Sequence, residues 1–439
     1  MSNKNPNPIR KRIVVKAECF FSSPALIGSG LDEHTDSDIL RSDNQAFLPG
    51  STAAGVLRSI SGIEGLFGNK GISPLWVYDT ELIDSDGNTA KIIELDGVAI
   101  DSDNKVALDN KKYDYEAVDA ETKFTLRFLL TIRKNDSSKG YEKMLDKLNG
   151  ALKSGSIAFG AKTRRGFGLV QCTDIKMCEF VLEQGCTDAL KQWIGFDWKS
   201  EDGWADADIP EYTGNLSEIK AKLTLDGSIM IRDTRNIFEE KPKSGEAPDY
   251  KHLSIGGRPV ILGTSWAGAF RSGLYRLLKN KYPEDIVNEY INEVFGHVTE
   301  PDNDESAKSE PSKVVFDASF LSAADESVDG YRMLTRVKID RFTGGAADGA
   351  LFSEMPWYGG QTEIKIRYEK GRDDIRELIL LGLDAVDKGI IQIGGEASVG
   401  RGFFKVGEVN GGSDALSGEK QELRKELEKR KKAGESSEN

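Results

Sequence analysis

The sequence predicts an α+β protein made of two tandem ferredoxin-like domains, each with an inserted hairpin and a glycine-rich turn. Two observations support this fold. Within the segment 48–59, residues 49–59 return as 262–272, with every aligned pair 213 positions apart, and further landmarks recur after it in the same order. Within each half, the predicted elements follow the order strand, helix, strands, helix, glycine-rich turn and strand, which is typical of a ferredoxin-like domain. We therefore interpret the chain as an internal duplication of a whole domain.

This duplication divides the chain into four segments. The first domain is predicted at 1–178 and the second at 217–410. Residues 179–216 are predicted to be an acidic linker, because a short helical stretch is followed there by a dense run of Asp and Glu. Residues 411–439 are predicted to be a charged tail that forms a solvated helix, since this segment has little apolar surface.

Length and composition exclude several classes of protein. The chain has 439 residues, 38% of them hydrophobic and 30% charged, which is typical of a soluble globular protein with two or three domains. No apolar run is long enough to span a membrane, and the first residues lack the apolar core of a signal peptide, so we expect a cytoplasmic protein. The four cysteines show no zinc-ligand spacing and are expected to be reduced thiols.

The net charge of −13 argues against a nucleic-acid-binding protein when it is taken alone. The acids are unevenly distributed, however, with clusters at 197–211 and 300–310, in the predicted linker and in a predicted insertion of the second domain. The global charge is therefore a poor guide to the charge of any one groove.

The elements of the first half follow from hydrophobic periodicity. Alternating apolar residues predict a strand at 9–22, and the polar stretch 23–46 predicts a long loop. A helix is expected to begin after Gly50. The remaining predicted elements are a strand at 75–80, a hairpin at 98–118, a strand at 123–132, a helix at 141–152, and a glycine-rich turn and strand at 159–170.

The second half repeats these elements. It begins with a strand at 220–225 and a polar loop at 241–252. The matching elements are a helix at 266–278, a short strand in which Val315-Phe316-Asp317-Ala318 matches Val77-Tyr78-Asp79-Thr80, a hairpin at 337–355 and a glycine-rich turn at 394–403.

The repeated segment places a glycine and two hydroxyl residues at the start of a helix. The glycine is expected to permit a tight turn, and the hydroxyl groups are expected to cap the helix. The exposed N–H groups and the helix dipole would then form an anion site. These residues are Gly50, Ser51 and Thr52 in the first copy and Gly263, Thr264 and Ser265 in the second.

Three motifs together resemble those of the RAMP superfamily of CRISPR proteins. They are Pro49-Gly50-Ser51-Thr52-x-x-Gly55-x-x-Arg58, an Ile-Asp hairpin, and the turn Arg165-Gly166-Phe167-Gly168. The similarity is closest to the repeated backbone subunit of type III effector complexes, and two copies in one chain are similar to the fused double subunit of the type III-D branch. The resemblance covers 9–178 and 217–408, and it implies RRM-like domains whose inserted hairpins are called thumbs.

The resemblance also implies a function. Such subunits stack along a CRISPR RNA, the thumb flips out a base at intervals, and a loop aspartate cleaves the paired target RNA with a divalent metal, Mg²⁺ or Mn²⁺. Asp36 matches the family aspartate through the pattern Asp-Ser-x-apolar-apolar-basic, and Asp249 stands the same 14 residues before its helix glycine in a context that does not match. Both are the candidate catalytic and metal-binding residues. The implied partners are CRISPR RNA, single-stranded target RNA and other subunits of the effector complex, with no membrane.

The candidate residues also have simpler interpretations. An aspartate in a polar loop is usually only solvated, and His34 and His252, which lie close to the aspartates, are either general bases or ordinary loop histidines. Arg58 and Arg271 are expected either to reach a phosphate or to pair with a loop acid. The predicted RNA-binding residues are Gly50, Ser51, Thr52, Arg58, Lys162, Arg164, Arg165, His252, Thr264, Ser265, Arg271, Arg341, Phe342 and Arg401.

The sequence departs from the family motif at three positions, and several functions stay open. Ala54 and Ala267 stand where the family usually has Lys, and Leu262 replaces the proline. One alternative is an RNA-binding scaffold without cleavage. A second is a precursor-processing ribonuclease of the same superfamily, and a third is a tandem domain that binds a ligand other than RNA, which the acidic balance favours.

Overall fold

The structure, a computed structural model, describes residues 7–30, 35–60, 62–68, 71–100, 107–136, 138–183, 186–233, 248–299, 308–323, 330–412, 416, 418 and 420–437. The predicted mixed α+β class is confirmed. The chain forms two compact units: the first comprises 1–93, 116–163 and 167–214, and the second comprises 94–115, 164–166 and 215–439. Among the helices in the described ranges, none is long and apolar enough to cross a membrane.

The elements up to residue 214 include three α-helices. The helices are α1 (Gly50–Arg58), α2 (Tyr141–Lys153) and α3 (Thr187–Ile194). The strands are β1 (Ile9–Phe21), β2 (Arg41–Ser42), β3 (Gln45–Leu48), β4 (Leu75–Val77), β5 (Thr80–Glu81), β6 (Ile92–Ile100), β7 (Ala107–Val118), β8 (Lys123–Arg133), β9 (Val170–Val181) and β10 (Ala205–Asp206).

The main sheet of the first unit has the strand order β10-β9-β1-β8-β4, and every pair in it is antiparallel. Without the edge strand β10, the chain order is strand, helix, two strands, helix, strand, and the spatial order is fourth, first, third, second. This is the connection expected of a ferredoxin-like domain. Strands β6 and β7 pair as a two-stranded hairpin between β4 and β8.

The two faces of this sheet follow from the alternation along β1. Val15, Ala17 and Phe21 point to one face and are fully buried, because α1 and α2 pack there with Leu57 and Leu148. Intervening residues of β1 such as Val14 point to the opposite face.

The opposite face of the sheet is covered by the segment that the sequence analysis predicted to be an acidic linker. Phe180 of β9 contacts Trp193 and Phe196, with ring centroids 5.3 and 5.5 Å apart, and Trp198 and Trp204 extend the cluster. Strand β10 then adds an edge strand beside β9. The structure therefore differs from the prediction: residues 179–214 belong to the first unit, because their aromatic side chains bury apolar area that outweighs the charged residues between them.

The second unit repeats the same layers. Its helices are α4 (Gly263–Lys279), α5 (Glu284–Phe295), α6 (Asp373–Asp387) and α7 (Gln421–Ser437). Its strands are β11 (Leu216–Asp226), β12 (Ser228–Ile229), β13 (Arg232–Asp233), β14 (Tyr250–His252), β15 (Ser254–Ile255), β16 (Arg258–Ile261), β17 (His297–Thr299), β18 (Lys308–Glu310), β19 (Val314–Phe316), β20 (Ser319–Phe320), β21 (Leu334–Ile339), β22 (Ala346–Met355), β23 (Trp357–Tyr358), β24 (Gln361–Glu369) and β25 (Phe403–Val409).

The main sheet of the second unit has the order β19-β24-β11-β25, again second, third, first, fourth. Strands β21 and β22 form its hairpin, so both predicted hairpins are present, with β6 and β21 beginning a few residues before the predicted starts. In β4, Val77 lies opposite Phe128, and in β19, Phe316 lies opposite Ile366. Phe316 therefore corresponds to Val77, one residue away from the match inferred from the sequence.

The charged tail is a packed helix rather than a solvated one. Leu423 and Leu427 of α7 are buried in the core of the second unit. The Leu423 N–H donates to Glu377 Oε2 of α6 at 2.9 Å, and Arg430 pairs with Glu293 of α5. Two leucines four residues apart supply a narrow apolar stripe, and this stripe is enough to dock the helix where ion pairs flank it.

The docking of α7 predicts a measurable loss of stability. Leu427→Ala removes a fully buried side chain and should lower the free energy of unfolding by about 2–5 kcal/mol. Lys429→Ala, two residues away on the exposed side of the same helix, should change it by less than about 0.5 kcal/mol. Denaturant unfolding followed by far-UV circular dichroism measures both values. Equal effects of the two substitutions would show that α7 is not packed on the unit.

Candidate nucleic-acid interface

Each repeated helix begins in close contact with the edge strand of its own repeat. A Cβ atom at Gly50 would overlap the Val77 carbonyl, and a Cβ atom at Gly263 would overlap the Phe316 carbonyl. Because Phe316 corresponds to Val77, the two contacts are equivalent. The glycines are therefore needed for a close backbone approach, and not for the tight turn that the sequence analysis expected.

The hydroxyl residues do not cap these helices as predicted. The N-cap positions belong to Pro49 and Leu262, neither of which has a capping side chain, and the hydroxyl residues lie in the first turn. The Gly50 N–H instead donates to Asp79 Oδ1 at 2.7 Å. The first donor of α1 is thus already satisfied by a carboxylate of the protein, which weakens the anion site expected at this end.

The two matched arginines differ in environment. Arg58 is exposed in the last turn of α1. Arg271 of α4 is half-buried, and it donates from Nη1 to the Gly296 carbonyl at 2.8 Å and from Nη2 to Asn292 Oδ1 at 2.6 Å. Arg271 therefore contacts a backbone carbonyl and an amide, and neither of its predicted partners, a phosphate or a loop acid, is among these contacts.

The loop that carries Asp36 is held in shape by two buried carboxylates. Asp38 Oδ1 accepts hydrogen bonds from the Thr35 N–H at 2.9 Å and from the Thr35 hydroxyl at 3.0 Å. Glu116, at the end of β7, accepts from the Ile39 N–H at 3.0 Å and from Arg41 Nη2 at 2.6 Å. Asp36 itself is exposed. The arrangement presents its side chain at the base of the first hairpin, on a braced loop.

Asp249 occupies the corresponding position in the second repeat. The Leu40 N–H donates to the Ile27 carbonyl at 2.7 Å, and the Leu253 N–H donates to the Ile231 carbonyl at 2.7 Å, so Leu253 corresponds to Leu40. Counting back four residues from each leucine reaches Asp36 and Asp249.

Asp249 is exposed, and it contacts the second hairpin directly. Its N–H donates to the Ser353 carbonyl at 2.8 Å, and its Oδ2 accepts from the Ser353 N–H at 2.8 Å. This pair of hydrogen bonds fixes the aspartate against β22.

His252 is not an accessible RNA-binding residue, and the prediction made for it is corrected. It corresponds to Ile39 and is fully buried, as Ile39 is. Its Nδ1 accepts a hydrogen bond from the Ile231 N–H at 3.0 Å, and burial lowers the pKa of its imidazole to about 3. A neutral, enclosed imidazole cannot contact RNA or act as the general base of an exposed site. His34, the other histidine considered, lies outside the described residues.

The described residues contain no ready-made metal centre. In these ranges, no three His, Cys, Asp or Glu side chains are grouped to hold an ion. Near Asp36, the carboxylate of Asp38 is already engaged by Thr35. Each candidate aspartate can therefore supply one oxygen ligand to a hydrated Mg²⁺ or Mn²⁺ ion, and the other ligands would have to come from water and RNA.

Equivalent hydrogen bonds show which residues of the two glycine-rich turns correspond. The Gly168 N–H donates to the Pro24 carbonyl and the Gly402 N–H to the Ser228 carbonyl, each at 2.8 Å, so Gly402 corresponds to Gly168. This match places Glu396, Ser398 and Val399 where the first turn has Lys162, Arg164 and Arg165. Arg164 and Arg165 are exposed, and Lys162 is half-buried.

Arg401 is a core residue, which corrects its prediction as an RNA contact. It corresponds to Phe167, and only 2% of its surface is exposed. Its guanidinium pairs with the buried carboxylate of Glu354, and Nη1 lies 2.9 Å from Glu396 Oε2. A cation with these partners is neutralised inside the unit and is not available to a phosphate.

The tip of the second hairpin presents an aromatic residue to solvent. Asp340 Oδ1 accepts hydrogen bonds from the N–H groups of Phe342 and Thr343 at 2.9 and 2.8 Å, which braces the tip. Phe342 is 99% exposed, and Arg341 beside it is exposed too. An aromatic ring held this way can stack on a base. The tip of the first hairpin, 101–106, lies outside the described residues.

Sequence reasoning missed the two residues that shape the first loop and helix, Glu116 and Asp79. A signal for Glu116 was present, since it interrupts a run of apolar residues at the end of a predicted strand. The sequence carried no comparable signal for Asp79, because its role depends on how closely α1 approaches β4.

The burial of His252 predicts a pH dependence of stability. The imidazole pKa is about 3 in the folded chain against 6.5 in the unfolded chain, so only the unfolded chain takes up the proton between these values. The stabilisation is fully present above pH 6.5 and is lost at up to about 1.4 kcal/mol per pH unit below it. His252→Asn should make this decline shallower between pH 6 and pH 4, measured by urea unfolding. Parallel profiles for the two proteins would contradict the buried neutral imidazole.

Comparison with known families agrees with this architecture. A family model described as the RAMP superfamily matches residues 21–171 and 244–405, which together make up more than two thirds of the chain. The two matched regions contain the two helix starts, the two candidate aspartates and both glycine-rich turns. A search of curated proteins finds no match. The resemblance seen in the motifs is thus confirmed at the level of the superfamily, and the chain belongs to the RAMP superfamily.

Proposed function

We propose that this chain is a tandem backbone subunit of a type III CRISPR effector complex, of the fused double form found in the type III-D branch. In this role it binds CRISPR RNA in the cytoplasm, contacts other subunits of the complex, and cleaves the paired single-stranded target RNA at Asp36 and Asp249. One observation carries the proposal: the two repeats hold an exposed aspartate at corresponding positions, each at the base of a hairpin.

The surfaces of the two units support RNA binding outside the first sheet. The sheet face that an RRM-like domain can use to stack bases is covered in the first unit by the aromatic cluster around Trp198. The exposed features that remain suited to RNA are the first glycine-rich turn with Arg164 and Arg165, the exposed Arg58 and the hairpin tip with Phe342. RNA contacts are therefore assigned to turns, loops and hairpins.

The chemistry at each aspartate requires positioning above all. RNA is cleaved when its own 2′-hydroxyl attacks the adjacent phosphate in line with the leaving oxygen, and a protein accelerates this by imposing that geometry. The hairpin tip would hold the bases apart, and the braced aspartate would accept the hydroxyl proton or orient the group that does. A bound Mg²⁺ or Mn²⁺ would stabilise the negative charge that develops on the phosphate.

A second function is an RNA-binding scaffold in which the second site does not cleave. The hydrogen bond from the Ser353 N–H to Asp249 Oδ2 favours this function for the second repeat. It occupies a carboxylate oxygen that Asp249 would need in order to act as a base or as a metal ligand. Asp249 also lacks the sequence context of Asp36.

Substitution of each aspartate tests the cleavage sites separately. In the assembled complex, Asp36→Asn should slow the target cuts assigned to the first repeat about 10²–10⁴-fold, and Asp249→Asn should do the same for those assigned to the second. Both variants should keep their CRISPR RNA, since only the carboxylate charge changes. Mapping the fragments of a labelled target RNA by denaturing gel measures this.

The matched controls for this experiment are Asp43→Asn and Asp226→Asn, two exposed aspartates in the same repeats. Neither should alter the fragment pattern. If Asp36→Asn and Asp249→Asn both still give every fragment, the assignment of the sites is wrong. If only Asp249→Asn does so, the second repeat is a scaffold. Cutting of repeat RNA without any target would instead indicate a precursor-processing ribonuclease.

Removal of divalent metal tests the cofactor. Excess EDTA should abolish target cleavage while CRISPR RNA stays bound, because each aspartate supplies only one ligand and holds the ion weakly without its other ligands. Addition of Mg²⁺ or Mn²⁺ beyond the chelator should restore the same fragments. Cleavage that continues unchanged in EDTA would leave the aspartates acting without a metal.

A further inference from the structure

The two glycine-rich turns share one backbone conformation. Gly166 and Gly400 have φ angles of 82° and 84°, and Lys162 and Glu396, which both have side chains, adopt φ angles of 57° and 63°. Positive φ angles are uncommon for residues with a side chain. Both turns have this unusual backbone conformation at matching positions. The side chains of the two turns can therefore be compared position by position.

The exposed side chains of the two turns differ in charge. In the first turn, Arg164 and Arg165 are exposed on a short helical turn. The residues at the same positions of the second turn are Ser398 and Val399, which are also exposed. Position for position, the first turn presents two guanidinium groups and the second presents a hydroxyl and an apolar side chain.

The second turn uses its charged residues for packing. Arg401 fills the core position that Phe167 fills in the first turn, and it is neutralised by Glu354 and Glu396. Arg336 also pairs with Glu354, Nε to Oε1 at 2.7 Å. These ion pairs join the turn to the base of the second hairpin, so the arginine that the sequence offers there supports the fold.

One arginine of the first turn lies close enough to a second arginine for their charges to interact. Arg164–Gly166 belong to the second compact unit, as does Arg271. The pKa of Arg271 is lowered mainly by burial and further by the charge of Arg165. Two arginines that repel one another are stabilised when an anion lies near both, and phosphodiester oxygens match the guanidinium fork.

We infer that the two turns have different roles: the first holds a phosphodiester of single-stranded RNA through Arg164 and Arg165, whereas the second is a packing element that contributes no cation to RNA binding. This inference rests on the proposed RNA-binding function and adds an asymmetry between the repeats. The chain then binds the RNA backbone through the first of its two glycine-rich turns and not through the second.

The salt dependence of RNA binding tests the asymmetry. The full-length chain is titrated with a fluorescein-labelled oligouridylate over a series of KCl concentrations, and Kd is measured by fluorescence anisotropy. Arg164→Ser with Arg165→Val gives the first turn the residues of the second. Because each phosphate contact contributes about 0.7 to the slope of log K against log salt for a single strand, the slope should fall by about 1.4.

The matched control changes the charge of the second turn at the equivalent positions, by Ser398→Asp with Val399→Asp. This variant should bind the oligouridylate with the same slope and within about twofold of the wild-type affinity, since the turn is not on the RNA. Circular dichroism checks that both variants are folded, which is expected because all four positions are exposed.

Two results overturn the inference while the wild-type chain binds RNA. One is an unchanged slope in the first-turn variant, and the other is a loss of affinity in the second-turn variant as large as that in the first. A wild-type chain that shows no salt-dependent binding of the oligouridylate contradicts the proposed RNA-binding function itself, and the inference falls with it.

Discussion

The close approach between each repeated helix and its edge strand is the constraint on which the rest of the structure depends. The α-carbons of Gly50 and Gly263 lie so near the carbonyls of Val77 and Phe316 that no side chain fits between them. This contact fixes where each helix starts, and with it the end of the polar loop that precedes the helix. The loop carries the candidate aspartate 14 residues before the glycine in both repeats. This backbone contact thus fixes one end of the loop that carries the candidate aspartate.

A second shared feature is a buried carboxylate at the base of each hairpin. Glu116 and Glu354 each stand 12 residues before the corresponding pair Phe128 and Ile366, and both are buried. Since a buried charge is costly unless it is paired, each repeat must bring an arginine to it. The first repeat uses Arg41 of the aspartate loop, and the second uses the turn residue Arg401 with Arg336. The same electrostatic requirement is met from different elements, which explains why the arginine of the second turn is buried.

Sequence reasoning was sufficient where local pattern decides the structure. Alternation predicted β1 and β11, and the spacing of the repeated motif identified Asp249 as the partner of Asp36 despite its unmatched context. It failed where the outcome depended on register or on distant packing. His252 is polar by type, and only alignment with Ile39 in the folded repeat shows that its position is buried. The segment around Trp198 was predicted to be an acidic linker, because the sequence does not show that its aromatic side chains pack on one face of a sheet.

Duplication gives this chain two copies of one backbone, and the backbone constraints leave the side chains free to diverge. The glycines, the left-handed positions of the turns and two backbone hydrogen bonds, those donated by Leu40 and Leu253 and by Gly168 and Gly402, are common to both repeats. The residues between them have changed: Phe167 corresponds to Arg401, and Ile39 corresponds to His252. In each of these pairs the second repeat has a polar side chain where the first has an apolar one, and it supplies a hydrogen-bond donor or an acid to that side chain. A scaffold fixed by its main chain can therefore accommodate such exchanges at buried positions without changing its fold.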